Sequence, residues 1–273
     1  MRADKYLAKK YGSRTKAAEA IEKGLALVNG KPIKPKTEIK ETDVVTFIEA
    51  ETSFVSNGGY KLDRALKNFD FDCRDKIFVD FGASTGGFTD CLLQYGVKKV
   101  YTVDVGESLL HESLLNNGKI VRMENTNARY LEKENFPEEI DGVVTDVSFI
   151  SLRLIFPVIK RILKENGSAF VLVKPQFECE NKHIGKSGIV SPSAHPAILE
   201  KVLQYLTENR LYPFGIINAP VRKGKNIEYV LYVKSVYEGA KTTKYILEEV
   251  KNFVRRNSMG ELQCREINDR RKR

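Results

Sequence analysis

The chain has 273 residues, 42% of them hydrophobic, with 45 Lys and Arg against 36 Asp and Glu and a net charge of +9, enough for one large domain with its own core plus a small appended one. No run approaches the roughly 18 to 20 apolar residues that span a bilayer, and the start MRADKYLAKK lacks the apolar centre of a secretory signal, so the expected compartment is the cytoplasm. Cys73, Cys91, Cys179 and Cys264 have no C-x-x-C spacing and His111, His183 and His195 are not clustered with them, which indicates reduced structural thiols and neither a disulfide framework nor a metal site.

Residues 1–48 carry 11 Lys and Arg against 6 Asp and Glu, a net of +5. Residues 2–10 and 13–23 have helical spacing: Ala3, Tyr6 and Leu7, then Ala17, Ala20 and Ile21, form inward stripes, Ser13 is the expected N-cap and Gly24 the stop. Arg2, Lys5 and Lys9, with Arg14 and Lys16, would then face outward together. Residues 25–28, the pair Asn29-Gly30 and residues 31–33 read as a hairpin with a type I′ turn, and residues 43–48 as a closing strand. So small a unit presents a surface, and a basic one favours a polyanion such as nucleic acid. RADKYLAKKYGSRTKAAEAIEKGLALVNGKPI resembles the S4-like (α-L) RNA-binding motif of a small-subunit ribosomal protein and of pseudouridine synthases. The resemblance implies that Arg2, Lys5, Arg14, Lys16 and Lys23 grip RNA phosphates.

Residues 49–57 are polar and read as a linker; residues 58–69 open a helix with Leu62, Ala65, Leu66 and Phe69 on one face. The centre of the chain is KIFVDFGASTGGFTD, residues 76–90: an apolar run, a turn of small residues, then helical spacing from Phe88 to Tyr95. Glycines at 82, 86 and 87 allow close approach of backbone to a ligand, and the helix start offers free N–H groups. The spacing is neither the dinucleotide fingerprint G-x-G-x-x-G nor a triphosphate loop. A second strand, residues 98–104, ends in Asp104 about twenty residues on, where a nucleoside ribose is gripped, so an adenosine-type cofactor is expected. Further strands are expected over 119–123, 142–146, 168–174, 214–219 and 227–236, and helices over 152–163 and 196–206. The alternation implies a mostly parallel sheet with helices on both faces, an α/β fold. In such a sheet ligands bind beyond the carboxyl ends of the strands, and Asp104, Asp146 and Lys174 each end an apolar run there.

This arrangement resembles the Rossmann-like S-adenosylmethionine-dependent methyltransferases. More narrowly, Lys61, Asp146, Lys174 and Glu228 fall in the order of the Lys-Asp-Lys-Glu tetrad of FtsJ-like RNA ribose 2′-O-methyltransferases. With FVSNGGYKL, VDFGASTGGFTD, VDVG, TDVSFIS, LVKPQFE and NIEYVLY, residues 2–236 resemble the TlyA family, also catalogued as hemolysin A. The resemblance implies S-adenosyl-L-methionine as cofactor, held by Gly82, Ala83, Ser84, Thr85, Gly86, Gly87, Phe88, Asp104, Val105, Asn127 and Asp146. It implies ribosomal RNA or ribosomal subunits as partner, and catalysis by Lys61, Asp146, Lys174 and Glu228. Chemistry supports the tetrad independently: a ribose hydroxyl is a weak acid and needs a base or acceptor and in-line placement. Lys174 serves if Lys61 and burial disfavour its ammonium form, with Asp146 and Glu228 orienting the lysines; no metal is required. Asn57, Ser187 and Ser191 depart from the family pattern. The implied division is an RNA-binding domain over 1–48, a linker over 49–57, a methyltransferase domain over 58–240, and a C-terminal helix and basic tail over 241–273.

Four other readings stand against this one. Gly82 to Gly86 is also G-x-S-x-G, so Ser84, Asp146 and His195 have the chain order of a serine hydrolase, although no H-G-G-G segment accompanies them. Asp146-Val147-Ser148-Phe149 stands where amino-group methyltransferases carry Asp/Asn-Pro-Pro-aromatic, without either proline. A pure RNA-binding protein would not need the glycine turn, and a membrane-lytic one lacks a suitable amphipathic segment. Residues 241–273 again net +5, with 10 basic against 5 acidic side chains; Tyr245, Leu247, Val250 and Val254 form one helical face ahead of a solvated NDRRKR tail.

Overall fold

The computed structural model describes residues 1–22, 26–40, 42–47, 53–180, 183–185, 187–221 and 224–270, the side chains of Tyr11, Lys16, Glu19 and residues 258–270 excepted. Contacts divide the chain into two units, Met1–Ser53 and Phe54–Arg273.

In the first unit α1 (Ala3–Tyr11) and α2 (Arg14–Glu22) bury Ala3, Leu7, Ala17 and Ile21 against Ala26, Val28 and Ile39. Gly12, at φ 80°, ends α1 in a conformation that a β-carbon would strain. Tyr6, expected inward, is exposed: Ala3 and Leu7, four apart, define the buried stripe, and Tyr6 lies about 100° round the helix from Leu7. Strand β1 (Ala26–Val28) pairs antiparallel with both β2 (Lys31–Pro32) and β3 (Val45–Phe47). Asn29 and Gly30 between β1 and β2 have φ of 50° and 74°, the pair of positive values that a type I′ turn requires. The expected stop at Gly24, and Leu25 and Ile48 at the strand ends, lie outside the described residues.

In the second unit Phe54 is buried and Ser56 caps α3 (Asn57–Asn68), its Oγ accepting from the Gly58 N–H at 3.3 Å. Five parallel strands follow: β4 (Ile77–Phe81), β5 (Lys99–Val103), β6 (Ile120–Met123), β7 (Ile140–Thr145) and β8 (Leu163–Val173). Then β9 (Tyr212–Asn218) and β10 (Tyr229–Lys234) join antiparallel, giving the order β6-β5-β4-β7-β8-β10-β9 among the described residues. The chain builds outward from β4 on one side through β5 and β6 and then returns to its other side with β7, so the carboxyl ends of β4 and β7 diverge around a crevice.

Helices cover both faces, which is why the strands read as continuous apolar runs. Alternate residues divide between two cores. Val79, Phe81, Val143 and Val171 meet α6 (Phe156–Ile162), α8 (His195–Glu208) and α9 (Thr243–Arg270); Phe78, Val144, Phe170 and Leu172 meet α3 and α4 (Gly87–Gln94); the single turns α5 (Glu112–Leu115) and α7 (Pro175–Glu178) lie in the connections. The helix expected over 152–163 is split into a 3-10 turn, Leu152–Leu154, and α6, because Pro157 is accommodated only in a first turn, where its missing N–H is not needed. Among the described side chains of α9, Ile246 and Val250 are buried and Leu247 and Val254 partly so, whereas Tyr245, expected on that face, is exposed.

Gly142 lies mid-sheet in β7, where a β-carbon would stand 2.2 Å from the fully buried Phe78 ring. Gly142→Ala is expected to lower stability by about 1 to 3 kcal/mol through overpacking, read from the urea midpoint at unchanged slope; a loss under about 0.5 kcal/mol would mean that the ring has room to move.

Candidate active site

The turn after β4 is shaped by its small residues. Gly82 has φ 75° and a β-carbon there would press on the backbone of Asp146 and Val147 at 3.3 Å; Gly86, at φ 89°, is the N-cap of α4, and a β-carbon on it would strike Leu114 at 2.4 Å. Ser84 also takes a left-handed φ of 49°, held by its N–H donating to Asp104 Oδ2 at 2.9 Å. The other oxygen of Asp104 accepts from the Gly106 N–H at 2.9 Å. Each carboxylate oxygen retains a second lone pair for a ligand hydroxyl.

Two cavities meet at this turn and share Gly82, Ser84, Asp146 and Ser148. The larger, about 370 Å³, is walled by Asp104, Val105, Asn127, Val147 and Ile155 and is the more apolar. The smaller, about 220 Å³, takes in Ala83, Thr85, Gly87, Phe88, Lys61, Lys174 and Asp80. Of the residues the sequence marks for a cofactor, Gly86 alone lines neither cavity and acts through the turn. Asn127 is exposed and its Oδ1 caps the turn at the Arg129 N–H, 3.1 Å away.

The four tetrad residues come from four elements and form one chain of alternating charge. Lys174, directly after β8, stands 2.7 Å from Asp146 Oδ1; Lys61 of α3 stands 3.6 Å from Asp146 Oδ2 and 2.7 Å from Glu228 Oε2. Lys174 is nearly buried and the other three are about one-fifth exposed. Glu228, expected within a strand, immediately precedes β10. Because β10 runs antiparallel to β8, with Tyr229 opposite Val173, its amino end meets the carboxyl end of β8, and only a residue ahead of the strand reaches the cleft.

Asp80 escapes the sequence reading, and Ser148 and Phe149 enter it only as occupants of the place of a proline and an aromatic in the amino-group methyltransferases. Ser148 Oγ lies 2.7 Å from Lys174 Nζ, an alcohol oxygen already resting on that lysine. Asp80, inside the buried strand β4, accepts from Thr89 Oγ1 at 2.7 Å on Oδ2, while its buried Oδ1 has no partner among the described residues. Burial pushes its carboxyl up to about 7 against the opposing Thr89 hydrogen bond. An acid inside an apolar run was the available signal. Phe149 is 91% exposed at φ 62° and lines neither cavity, but its ring is 5.1 Å from that of Phe177, which in turn lies 5.9 Å from Lys174 Nζ.

The hydrolase arrangement does not assemble. Ser84 and Asp146 share a cavity, but His195 lines neither one and is buried with Nδ1 2.8 Å from the Tyr229 hydroxyl. In the first unit Arg2, Lys5 and Arg14 are exposed. The guanidiniums of Arg2 and Arg14 converge on buried Asp4 at 2.8 and 3.1 Å, and these bonds, Arg2 foremost, hold its carboxyl below the usual range. The side chain of Lys16, and Lys23 entirely, lie outside the described residues. Among those residues no group of His, Cys, Asp and Glu is arranged to hold a metal, and no helix is long and apolar enough to cross a membrane.

Residues 54–235 match the model of the FtsJ-like methyltransferases and residues 1–45 that of the S4 domain. The chain is 34% identical over 242 residues to the 16S/23S rRNA (cytidine-2′-O)-methyltransferase TlyA of Mycobacterium tuberculosis, covering 87% of this chain and 90% of that protein. It is 38% identical over 238 residues to hemolysin A of Brachyspira hyodysenteriae, covering 85% and 99%. A solved structure from Streptococcus thermophilus, provisionally named a hemolysin, superposes with a TM-score of 0.69 at 34% identity, covering 95% of this chain and 98% of that one.

Asp80 carries a stability cost with a defined sign. Its folded pKa, about 7, exceeds the ordinary carboxylate value of 3.8, so its favourable contribution is complete below about 4 and is lost as pH rises through 7. Asp80→Asn is therefore expected to unfold at a higher temperature than the parent at pH 8, with the gap closing towards pH 4 to 5. A gap independent of pH would show that Asp80 is not the group responsible.

Proposed function

Since the chain belongs to the FtsJ-like methyltransferase family, we propose that it is an S-adenosylmethionine-dependent enzyme that methylates a ribose 2′-hydroxyl of ribosomal RNA in the cytoplasm. The observation that carries this reading is the tetrad at the mouth of a nucleoside-sized crevice, with Asp146 common to both. The donor set fits the cofactor. The unpartnered Oδ1 of Asp80 suits an ammonium group in the smaller cavity, Asp104 a ribose diol in the larger, and the turn at Gly82 allows backbone approach between them. When bound, S-adenosylmethionine supplies an electrophilic sulfonium methyl whose leaving group is a neutral thioether.

The chain's own residues then prepare the nucleophile. A ribose hydroxyl takes the place of Ser148 Oγ on Lys174, and the lysine–carboxylate pair with Asp146 accepts its proton as the oxygen forms its new bond to carbon. Lys61, held between Asp146 and Glu228, fixes the direction of the Asp146 carboxylate. The exposed Phe149 ring offers a face on which the target base stacks, holding the sugar in line. The same ring keeps a second reading in play: a base-methylating enzyme would also seat its base against an aromatic following Asp146. The rRNA (cytidine-2′-O)-methyltransferase relative and the S4 match favour ribose and RNA.

Tritium-labelled cofactor supplied with small and large ribosomal subunits that lack the modification, followed by digestion to nucleosides, tests the reaction; a methyl on the base would refute the ribose assignment. Lys174→Ala is expected to lower transfer at least about 100-fold with cofactor affinity little changed, and full activity in a folded variant would remove the mechanism. For Phe149→Ala, kcat/KM for RNA is expected to fall by about 5- to 150-fold, the equivalent of about 1 to 3 kcal/mol of stacking; an unchanged kcat/KM would take the ring out of the substrate site.

A further inference from the structure

A third groove, of about 500 Å³, lies beside the edge strand β9, between the end of α3 and the start of α9, and plays no part in the chemistry above. Three cations, Arg64, Lys241 and Arg256, and one carboxylate, Glu249, line it. Among the described residues none of the three cations forms an ion pair. Lys241 lies over the Tyr245 ring at 5.6 Å and Arg256 over the Phe253 ring at 5.5 Å, so both charges are presented on aromatic faces at the surface.

The groove is joined to the active site by one helix. Asn57, Lys61, Arg64 and Asn68 follow at intervals of four, three and four along α3 and so share one face. The first two line a cavity of about 260 Å³ on the far side of the Lys61–Glu228 pair, and the last two line the groove. Arg64 also donates to Asn218 Oδ1 at 3.3 Å, and Pro220, two residues on, belongs to the intervening cavity. From Lys61 to Asn68 the helix advances about 10 Å, so one short strand can pass from the tetrad to the groove. A nucleotide seated at the tetrad is covalently continuous with its neighbours, which must leave the cleft over some rim. This rim is polar, then cationic, then aromatic.

We propose that the groove beside β9 holds the single-stranded RNA flanking the target nucleotide, reached along the polar face of α3. The proposal rests on the reading of the chain as an RNA-modifying enzyme. Cations take the phosphates and the exposed Tyr245 ring, together with Phe214, takes a base, the combination by which single strands are held without sequence preference.

The test compares the full-length protein with Lys241→Glu/Arg256→Glu, since neither residue lines the active-site cavities. Both are titrated with a fluorescein-labelled single-stranded RNA of about 12 nucleotides at several salt concentrations, and with S-adenosylhomocysteine by calorimetry. The variant is expected to bind RNA at least about tenfold more weakly near 0.1 M salt, with the slope of log Kd against log salt reduced by about 1.4 for two lost phosphate contacts. Its affinity for S-adenosylhomocysteine stays as in the parent. A folded variant with parental RNA affinity and slope overturns the groove and leaves the functional reading intact; a parent that binds S-adenosylhomocysteine but no RNA overturns both. A poly-glutamate peptide bound more tightly than RNA, or a dimer in light scattering that the double substitution abolishes, would give the groove to an acidic protein or to a second copy, and the proposal falls.

Discussion

Asp146 holds two ammonium groups at once, and the rest of the site depends on that. Lys174 approaches one of its oxygens and Lys61 the other, while Glu228 balances the second lysine. Four charges mostly withdrawn from water are tolerable because they alternate in sign; remove one and its neighbour is left desolvated and unpaired, a larger cost than the pair's net contribution. The same alternation confines each side chain to one direction, which an in-line transfer requires. Strand order makes it possible. Asp146 and Lys174 follow adjacent parallel strands, Glu228 precedes the antiparallel neighbour of the second, and α3 supplies Lys61 across the top.

The carboxylates around the glycine turn divide their tasks by environment. Asp104 is tied by two backbone N–H groups and faces a wide, partly apolar cavity, so it is preorganised to accept hydroxyls. Asp80 is enclosed, half satisfied by Thr89, and held near neutrality by burial. A carboxyl in that state is poorly placed for stability and well placed to gain from a cation, because a ligand ammonium would supply the partner that the fold withholds. Buried Glu178 contrasts with it, one oxygen accepting from the Ser151 hydroxyl and the other from the Leu152 N–H, so that both are engaged within the fold.

Charge on the surface follows a related economy. In the first unit Asp4 gathers Arg2 and Arg14, so two long side chains that would otherwise sample many rotamers are already restrained for an anion. On the second unit Lys241 and Arg256 rest on aromatic rings. Arg2, Arg14, Lys241 and Arg256 are thus held on scaffolds of the fold, and a cation so restrained loses less entropy on meeting an anion than a free lysine would.

Local chemistry in the sequence determined the strands, the glycine turn, the Asn29-Gly30 hairpin and the candidacy of Asp146 and Lys174, because each is a matter of spacing, turn residues or the end of an apolar run, whereas Lys61 and Glu228 are marked only by the resemblance to the FtsJ-like tetrad. Pairing between distant segments decided the rest. Only the antiparallel register of β10 on β8 shows that Glu228 must stand ahead of its strand. Only the packing of α4 on β4 puts Thr89 against Asp80 and turns an acid in an apolar run into a wall of the cavity. Ser148 and Phe149 carry no periodic signal at all, since their places follow from how the chain leaves β7 beside the glycine turn. Side chains reveal their spacing in one dimension; which of them meet depends on strand order, and that is a property of the closed sheet.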